Sequence, residues 1–332
     1  MEEKFDFIAL GDITTDAFIR LLLTEAHTVE KENGKKELCM SFGDKIPYES
    51  VKVVRAVGNS PNASVAAAKL GLRSALVTSM GDDENGAECL QTLKDAHVDT
   101  RFVSIEKRKE TNYHYVLSYG AERTILIKHQ EYNYVLPDIN EPTWLYVSSL
   151  AENSLPFHEK ILHYLVEHPS VKLAFQPGTF QIKLGYEKLK GLYEHTELFF
   201  CNKEEAQRIL ESSANDIQTL LKEMHARGPK IAVITDGPEG AYTFDGNEMW
   251  HMPMYPDPMP PINRTGAGDA FSSTFTSAVA LGKTIPEALA WGPINSMSVV
   301  QHIGAQSGLL ARETLEALLK SAPPEYIATK IQ

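Results

Sequence analysis

From Trp144 onward, short apolar runs alternate with segments of helical period, and few folds accommodate that rhythm. Strand-length runs at 144–148, 172–175, 197–201 and 231–235 are separated by helix-period stretches near 156–167, 183–191, 203–211 and 216–227. Strands with so few polar positions must be covered on both faces. The alternation therefore predicts an α/β fold, a doubly wound and mainly parallel sheet with helices on both faces. The same units begin earlier. Residues 5–10 read as a buried strand closed by Gly11-Asp12, with Asp16 on the loop that follows. Residues 62–70 read as an Ala-rich helix stopped at Gly71, 75–79 as a strand and 85–95 as a helix.

Two stretches break the rhythm. Residues 20–57 carry the charge runs Glu30-Lys31-Glu32 and Lys35-Lys36-Glu37 beside short alternating runs near 39–42 and 51–57. Residues 113–118 and 123–128 alternate around Tyr119-Gly120, a hairpin signature. The expected layout is one large domain (1–19, 58–99 and 131–332) with a small β lid (20–57 and 100–130). A second hairpin is expected at 242–244 and 248–251, around Asp245-Gly246-Asn247. The last third is helical: a small-residue-rich run at 268–281 precedes Thr284, an N-cap with Pro286 in the first turn and Glu287 at the capping-box position. No internal repeat or domain linker stands out.

Bulk properties narrow the function classes. Of 332 residues, 43% are hydrophobic and 23% charged, enough for a sizeable core. A net charge of −12 without a basic block argues against nucleic-acid or anionic-membrane partners. Any phosphate must be held locally, by backbone N–H groups, a metal ion or a few cations. Cys39, Cys89 and Cys201 are odd in number and far apart, which points to reduced thiols in a reducing compartment. The start, Met-Glu-Glu-Lys-Phe-Asp, lacks the pattern of a signal peptide, and no apolar run is long enough to span a bilayer. The expectation is a cytoplasmic protein, in which Asn62-Ala-Ser and Asn263-Arg-Thr are chance glycosylation matches.

The strongest local signal is Thr265-Gly266-Ala267-Gly268-Asp269, directly before a helical stretch. Two glycines allow a tight turn and close approach to a ligand. The helix directs its free N–H groups and positive dipole end back at the loop, which suits a phosphate in transfer. Asp269 could take the proton of an attacking hydroxyl. The same residues also read as a Gly-rich turn with Asp269 as a cap. Two other nucleotide signatures fail: Gly282-Lys283-Thr284 has Ser277 where a P-loop needs its first Gly, and Gly266-Ala-Gly268 has Phe271 where a dinucleotide fingerprint needs Gly.

In its setting, Thr265–Asp269 resembles the C-terminal signature of the ribokinase-like (PfkB) carbohydrate kinases, written D-T-x-G-A-G-D. Gly58-Asn59-Ser60-Pro61-Asn62 before an Ala-rich helix ending in Leu-Gly resembles the N-terminal signature, G-G-x-x-x-N. Asp16, in Gly-Asp-Ile-Thr-Thr-Asp, stands where that family has a substrate-holding Asp. Asn202-Lys-Glu-Glu205 matches N-x-x-E, Thr235-Asp236-Gly237 a phosphate loop after a strand, and Gly304-Ala305-Gln306 a late G-A-Q. The motifs keep family order over nearly the whole chain.

The resemblance implies an ATP-dependent kinase of a small hydroxylated substrate. Asp269 would be the base, and Gly266, Ala267 and Gly268 the anion hole. Asp16, Gly58, Asn59 and Asn62 would bind substrate; Asn202, Thr235, Gly237 and Asn295 would bind nucleotide. Glu205 would organise Mg²⁺ through water. Each has a plainer reading: Asn59 and Asn62 as helix caps, Asn202 and Glu205 as a solvated helix start, Asn295 as an ordinary polar helix position. A sugar is the leading substrate, a nucleoside the alternative, and a non-catalytic nucleotide or sugar sensor the alternative of another class. Phe42, Tyr113, His114, Tyr115 and His129 could stack a base and Arg123 and Lys128 could hold a sugar phosphate, but packing within the lid or against a second subunit is the preferred role for most of them. The lid edges suggest a homodimer.

Three residues depart from the family pattern. Val57 replaces the first Gly of the N-terminal signature. Asn263 replaces an Asp that belongs, in K⁺-binding members, to the cation site, so weak or absent K⁺ activation is expected. Arg264 beside the anion hole either contacts an anion or pairs with a surface carboxylate, the latter preferred.

Overall fold

A computed structural model describes residues 4–32, 34–120 and 122–331. In chain order its strands are β1 (Phe7–Leu10), β2 (Thr14–Leu21), β3 (Ala26–Glu30), β4 (Lys36–Met40), β5 (Tyr48–Val57), β6 (Ser74–Gly81), β7 (Val103–Glu106) and β8 (Asn112–Tyr119). They continue as β9 (Glu122–Leu126), β10 (Trp144–Val147), β11 (Lys172–Phe175), β12 (Thr196–Asn202), β13 (Ile231–Thr235), β14 (Ala241–Phe244), β15 (Met249–Met252) and β16 (Thr329–Ile331). The helices are α1 (Asn59–Lys69), α2 (Glu84–Asp95), α3 (Leu155–Glu167), α4 (Thr179–Leu184) and α5 (Tyr186–Glu194). Then follow α6 (Lys203–Leu210), α7 (Ile217–Ala226), α8 (Ala267–Ala280), α9 (Ile285–Val300) and α10 (Arg312–Lys320).

Ten strands form the central sheet, in the order β16-β15-β14-β13-β12-β11-β10-β1-β6-β7. Pairing is parallel from β7 to β13 and antiparallel from β13 to β16. Strand side chains alternate between two cores, as the pleat requires. Phe7 and Ala9 join one, beneath α1, α8 and α9, while Ile8 and Leu10 join the other, beneath α3, α5 and α7. The sheet is therefore covered on both faces, as the strand–helix alternation requires.

A separate sheet, ordered β5-β2-β8-β9, makes the lid, and β3 and β4 form a hairpin. Here the chain departs from the sequence reading. Residues 14–21, including Asp16, are strand β2 at the middle of the lid sheet, not a loop of the large domain. Asp16 and Arg20 interrupt the apolar pattern of β2, and Gly11-Asp12 just before it reads as a stop. Conversely β7, inside the stretch assigned to the lid, pairs in parallel with β6 at the edge of the central sheet. The helix expected at 183–191 is two, divided at Gly185.

Candidate active site

The carboxyl ends of the parallel strands converge on one end of the sheet, where open α/β sheets hold their ligands. β1 delivers Gly11 and Asp12, β11 delivers Gln176, and β12 and β13 deliver Asn202 and Asp236. Above them α1 and α8 pack against each other and bring their first turns together. Asp269 is in the first turn of α8 and is 9% exposed.

Three side-chain amides grip the Asp269 carboxylate. Asn59 Nδ2 donates to Oδ1 at 2.7 Å, Asn62 Nδ2 to Oδ2 at 2.8 Å, and Gln176 Nε2 to Oδ1 at 3.1 Å. The resemblance gave Asn59 and Asn62 to substrate hydroxyls; here their amide N–H groups face the carboxylate. Neither makes a side-chain cap bond to α1. Gln306 Nε2 donates to Asn62 Oδ1 at 3.0 Å, so both ends of the Asn62 amide are engaged.

The sequence gave no hint of Gln176 at this centre. Its Oε1 accepts from Tyr146 Oη and, at 3.0 Å, from Ser272 Oγ. That fixes the amide so that Nε2 faces Asp269. Burial and the Asp269 charge raise the Tyr146 hydroxyl well above its ordinary range, so it stays a donor.

Burial also lifts the Asp269 carboxyl above the ordinary carboxylate range. The amides of Asn62, Asn59 and Gln176 pull it down, and the nearby Asp16 charge pushes it up. The three amides favour and orient the charged form, while the dry surroundings keep it basic. A carboxylate poised in this way suits proton abstraction from a hydroxyl.

The anion loop is built as its glycines suggest. Gly266 has φ 84° and is the N-cap of α8. A Cβ there would meet Ala305 Cβ at 2.3 Å, so only glycine lets the loop lie on the 304–306 turn. Nothing lies within 4 Å of where a Gly268 Cβ would be, so the loop faces open space. Gly58, with φ 124°, brings the start of α1 onto the Asp12 carbonyl, which a Cβ would meet at 2.6 Å.

A cavity of about 320 Å³ unites the anion loop with the expected nucleotide residues: Ala267 and Gly268 line one part, Thr235 and Gly237 another. Its remaining wall is largely apolar, including Phe271, Pro293 and Met297. Arg264 lines this cavity together with Asp257, whose carboxylate lies within its electrostatic reach.

Asn295 does not belong to this wall. It is fully buried, donates to Thr274 Oγ1 at 2.7 Å and accepts from Leu310 N at 3.0 Å. Asn295 thus clips α9 to α8 and to the chain before α10. Asn202 and Glu205 form a reciprocal capping box on α6, Asn202 Oδ1 accepting from Glu205 N at 2.8 Å and Glu205 Oε2 from Asn202 N at 2.9 Å. Burial raises the Glu205 carboxyl. Among the described residues no group of three or more His, Cys, Asp or Glu side chains could hold a metal, and no helix is long and apolar enough to cross a membrane.

Comparison with known proteins agrees with this arrangement. The model of the pfkB family carbohydrate kinases matches residues 35–312. An ATP-dependent 6-phosphofructokinase of Thermoanaerobacterium thermosaccharolyticum is 22% identical over 96% of this chain and 94% of its own. The ribokinase of Bacillus subtilis is 26% identical over 79% of this chain and 87% of its own. The structure of Arabidopsis thaliana ribokinase, complexed with ribose and ATP, superposes with a TM-score of 0.79 at 17% identity, covering 96% of this chain and 99% of that one. With the family model spanning most of the sequence and the ribokinase-like fold reproduced over 96% of it, the chain belongs to the pfkB family of carbohydrate kinases.

Proposed function

We propose that this kinase transfers the γ-phosphate of ATP to a hydroxyl of a small sugar, with Asp269 as the base. The observation that carries the reading is the Asp269 carboxylate, buried and held by three amides beside the open anion loop. ATP occupies the cavity shared by Thr235, Gly237, Ala267 and Gly268. The acceptor lies under the lid near Asp16, with its hydroxyl between Asp269 and the phosphate. Asp269 takes the proton, and the free N–H groups of Ala267, Gly268 and Asp269 receive the charge on the transferring group. The lid excludes water that would otherwise hydrolyse ATP.

Mg²⁺ fits this site as a hydrated ion. The capping box occupies Glu205 Oε2 and leaves Oε1 as an acceptor for a water of the ion's hydration shell, which suits an ion that keeps much of its water. When bound, Mg²⁺ offsets the charge of the β- and γ-phosphates.

A sugar is favoured over a nucleoside by the facing of the lid aromatics. Tyr113 and Tyr115 lie on the opposite face of β8 from His114, which is the residue paired with Asp16. The outer face instead carries the cross-strand row Val53–Ala17–Tyr115–Leu126, with Val53, Tyr115 and Leu126 exposed. That apolar row supports a homodimer formed through the lid, in a protein we assign to the cytoplasm.

The test is ADP release from Mg-ATP with pooled sugars and nucleosides. Asp269→Asn should lower acceptor-dependent turnover roughly 10²–10⁴-fold while ATP still raises the melting temperature. Turnover near that of the wild type would sink the assignment. Thermal stabilisation by a sugar without any ADP release from the wild type would make the protein a sensor.

A further inference from the structure

Four buried polar atoms that lack hydrogen-bond partners lie together under the lid: Asp12 Oδ2, Asp16 Oδ1, His114 Nε2 and His129 Nδ1. They come from three parts of the chain. Asp12 is in the turn after β1, Asp16 and His114 are register partners on neighbouring lid strands, and His129 follows β9. His114 Nδ1 is 3.2 Å from Asp16 Oδ1, and His129 Nδ1 is 3.6 Å from Asp12 Oδ2. The two imidazole centroids are 5.1 Å apart, and the edge-on ring of Phe180 backs His129 at 5.5 Å.

The Asp12 carboxylate is held in place from behind. Tyr134 Oη donates to Asp12 Oδ1 at 2.8 Å and itself accepts from Ala151 N at 3.2 Å. Burial and the Asp12 charge raise the Tyr134 hydroxyl far above its ordinary range, so it remains a donor. Asp12 Oδ2 is thereby left facing His129. Asp16 is close enough to Asp269 for its charge to be felt there, so the cluster adjoins the transfer centre.

Buried polar atoms without a hydrogen bond are disfavoured, so four in one place, three of them in only loose histidine–carboxylate contacts, mark a surface that a ligand completes. The chemistry of that ligand follows from the set. Two carboxylates accept, and each imidazole donates or accepts according to its tautomer. Adjacent hydroxyls, each both donor and acceptor, match this pattern. A phosphate would face Asp12 and Asp16, and a flat base would leave most of the four atoms unpaired.

We propose that His114 and His129 are specificity-determining residues which, together with Asp12, read neighbouring hydroxyls of an uncharged polyol sugar, the hydroxyls beside the one phosphorylated. The proposal rests on the kinase reading above for the phosphorylation of the neighbouring hydroxyl, but not for the binding itself. His114 presents Nε2 to one hydroxyl, and Asp12 and His129 together bracket a second.

The test uses the full-length protein and two readouts, ADP release and thermal shift, with D-ribose, D-fructose, their monodeoxy analogues and adenosine as probes. His114→Ala and His129→Ala should each raise KM for the preferred sugar roughly tenfold or more, leave KM for ATP unchanged and change kcat much less. The wild type should discriminate against the deoxy analogue lacking the recognised hydroxyl, and one of the two variants should lose that discrimination. Retained stabilisation by ATP shows that a variant is folded, and His114→Asn and His129→Gln serve where an alanine variant is not. Unchanged sugar KM and unchanged discrimination in both variants would overturn the proposal, as would stabilisation of the wild type by adenosine but by no sugar. Absence of ADP release with every probe would defeat the kinase reading alone. Sugar stabilisation that is lost in the histidine variants would then still support the hydroxyl-reading cluster, and its persistence would refute it.

Discussion

Gln306 Nε2 donates to Asn62 Oδ1 at 3.0 Å, across 244 residues of sequence. Because Asn62 Oδ1 is so engaged, its Nδ2 is the end that meets Asp269, and the orientation of the base is set from the far end of the chain. The same Gln306 nitrogen also donates to the Ala56 carbonyl at 2.7 Å, which anchors it to the end of β5. Gln306→Leu should free the Asn62 amide to turn over. We expect kcat/KM to fall roughly tenfold, the worth of one hydrogen bond to a charged network, while ATP-induced thermal stabilisation stays as in the wild type. An unchanged kcat/KM would show that Asn62 keeps its orientation without Gln306.

Asn263 Oδ1 accepts from Thr265 N at 2.7 Å and thus closes the turn leading into the anion loop. The oxygen is committed to the backbone and carries no charge. Replacing tetramethylammonium chloride with KCl should leave kcat nearly unchanged, and Asn263→Asp should introduce a K⁺ dependence. A strong K⁺ requirement in the wild type would contradict this account.

Gly266→Ala combines two penalties. An alanine at φ 84° is strained, and its Cβ would overlap Ala305 Cβ at 2.3 Å. The strain alone costs about 1–3 kcal/mol. Urea denaturation should report a loss of at least that size, together with a loss of activity. Adding Ala305→Gly should recover only part of the steric loss, because a Cβ at position 266 would still meet the residue 305 Cα at 2.7 Å, and should leave the strain of the left-handed conformation. A fully recovered double variant would mean that the backbone conformation carries no cost.

His158 is 2% exposed; its Nδ1 donates to Ser154 O at 2.8 Å, and burial lowers its pKa from 6.5 to about 4. The folded protein thus holds a neutral imidazole where the unfolded chain binds a proton. Between pH 6.5 and about 4 the unfolded state takes up more protons, so this contribution is present above pH 6.5 and is lost as pH falls through the window. The loss approaches the order of 3 kcal/mol at the acid end. His158→Gln should flatten this slope of unfolding free energy against pH; a slope equal to that of the wild type would assign it to other groups.

Much of this was legible in the sequence because its requirements are local. Thr265–Asp269 needs a left-handed glycine, a helix start and a carboxylate within five neighbouring positions, and adjacent residues can declare all three. Gln176 declares nothing: it becomes part of the centre only because β11 ends beside α8, 93 residues away along the chain from Asp269. His114 and Tyr115 looked alike as lid aromatics until the register of β2 and β8 turned one inward and the other outward. Asn295, given to the nucleotide only by the family resemblance, shows in the structure a buried amide that serves Thr274 and Leu310, a long-range packing role that no local pattern announces. Strand β2 was hidden because Asp16 breaks the apolar pattern that would have announced it.

Only Gly11, Asp12 and Ile13 separate the central strand β1 from the lid strand β2. A lid that swings must bend this tripeptide, and Asp12 is its middle residue. If Asp12 grips the acceptor as proposed, the joint is also part of that grip. Opening at this joint would then loosen the acceptor in the same movement that admits solvent, coupling release to exposure through three residues of chain.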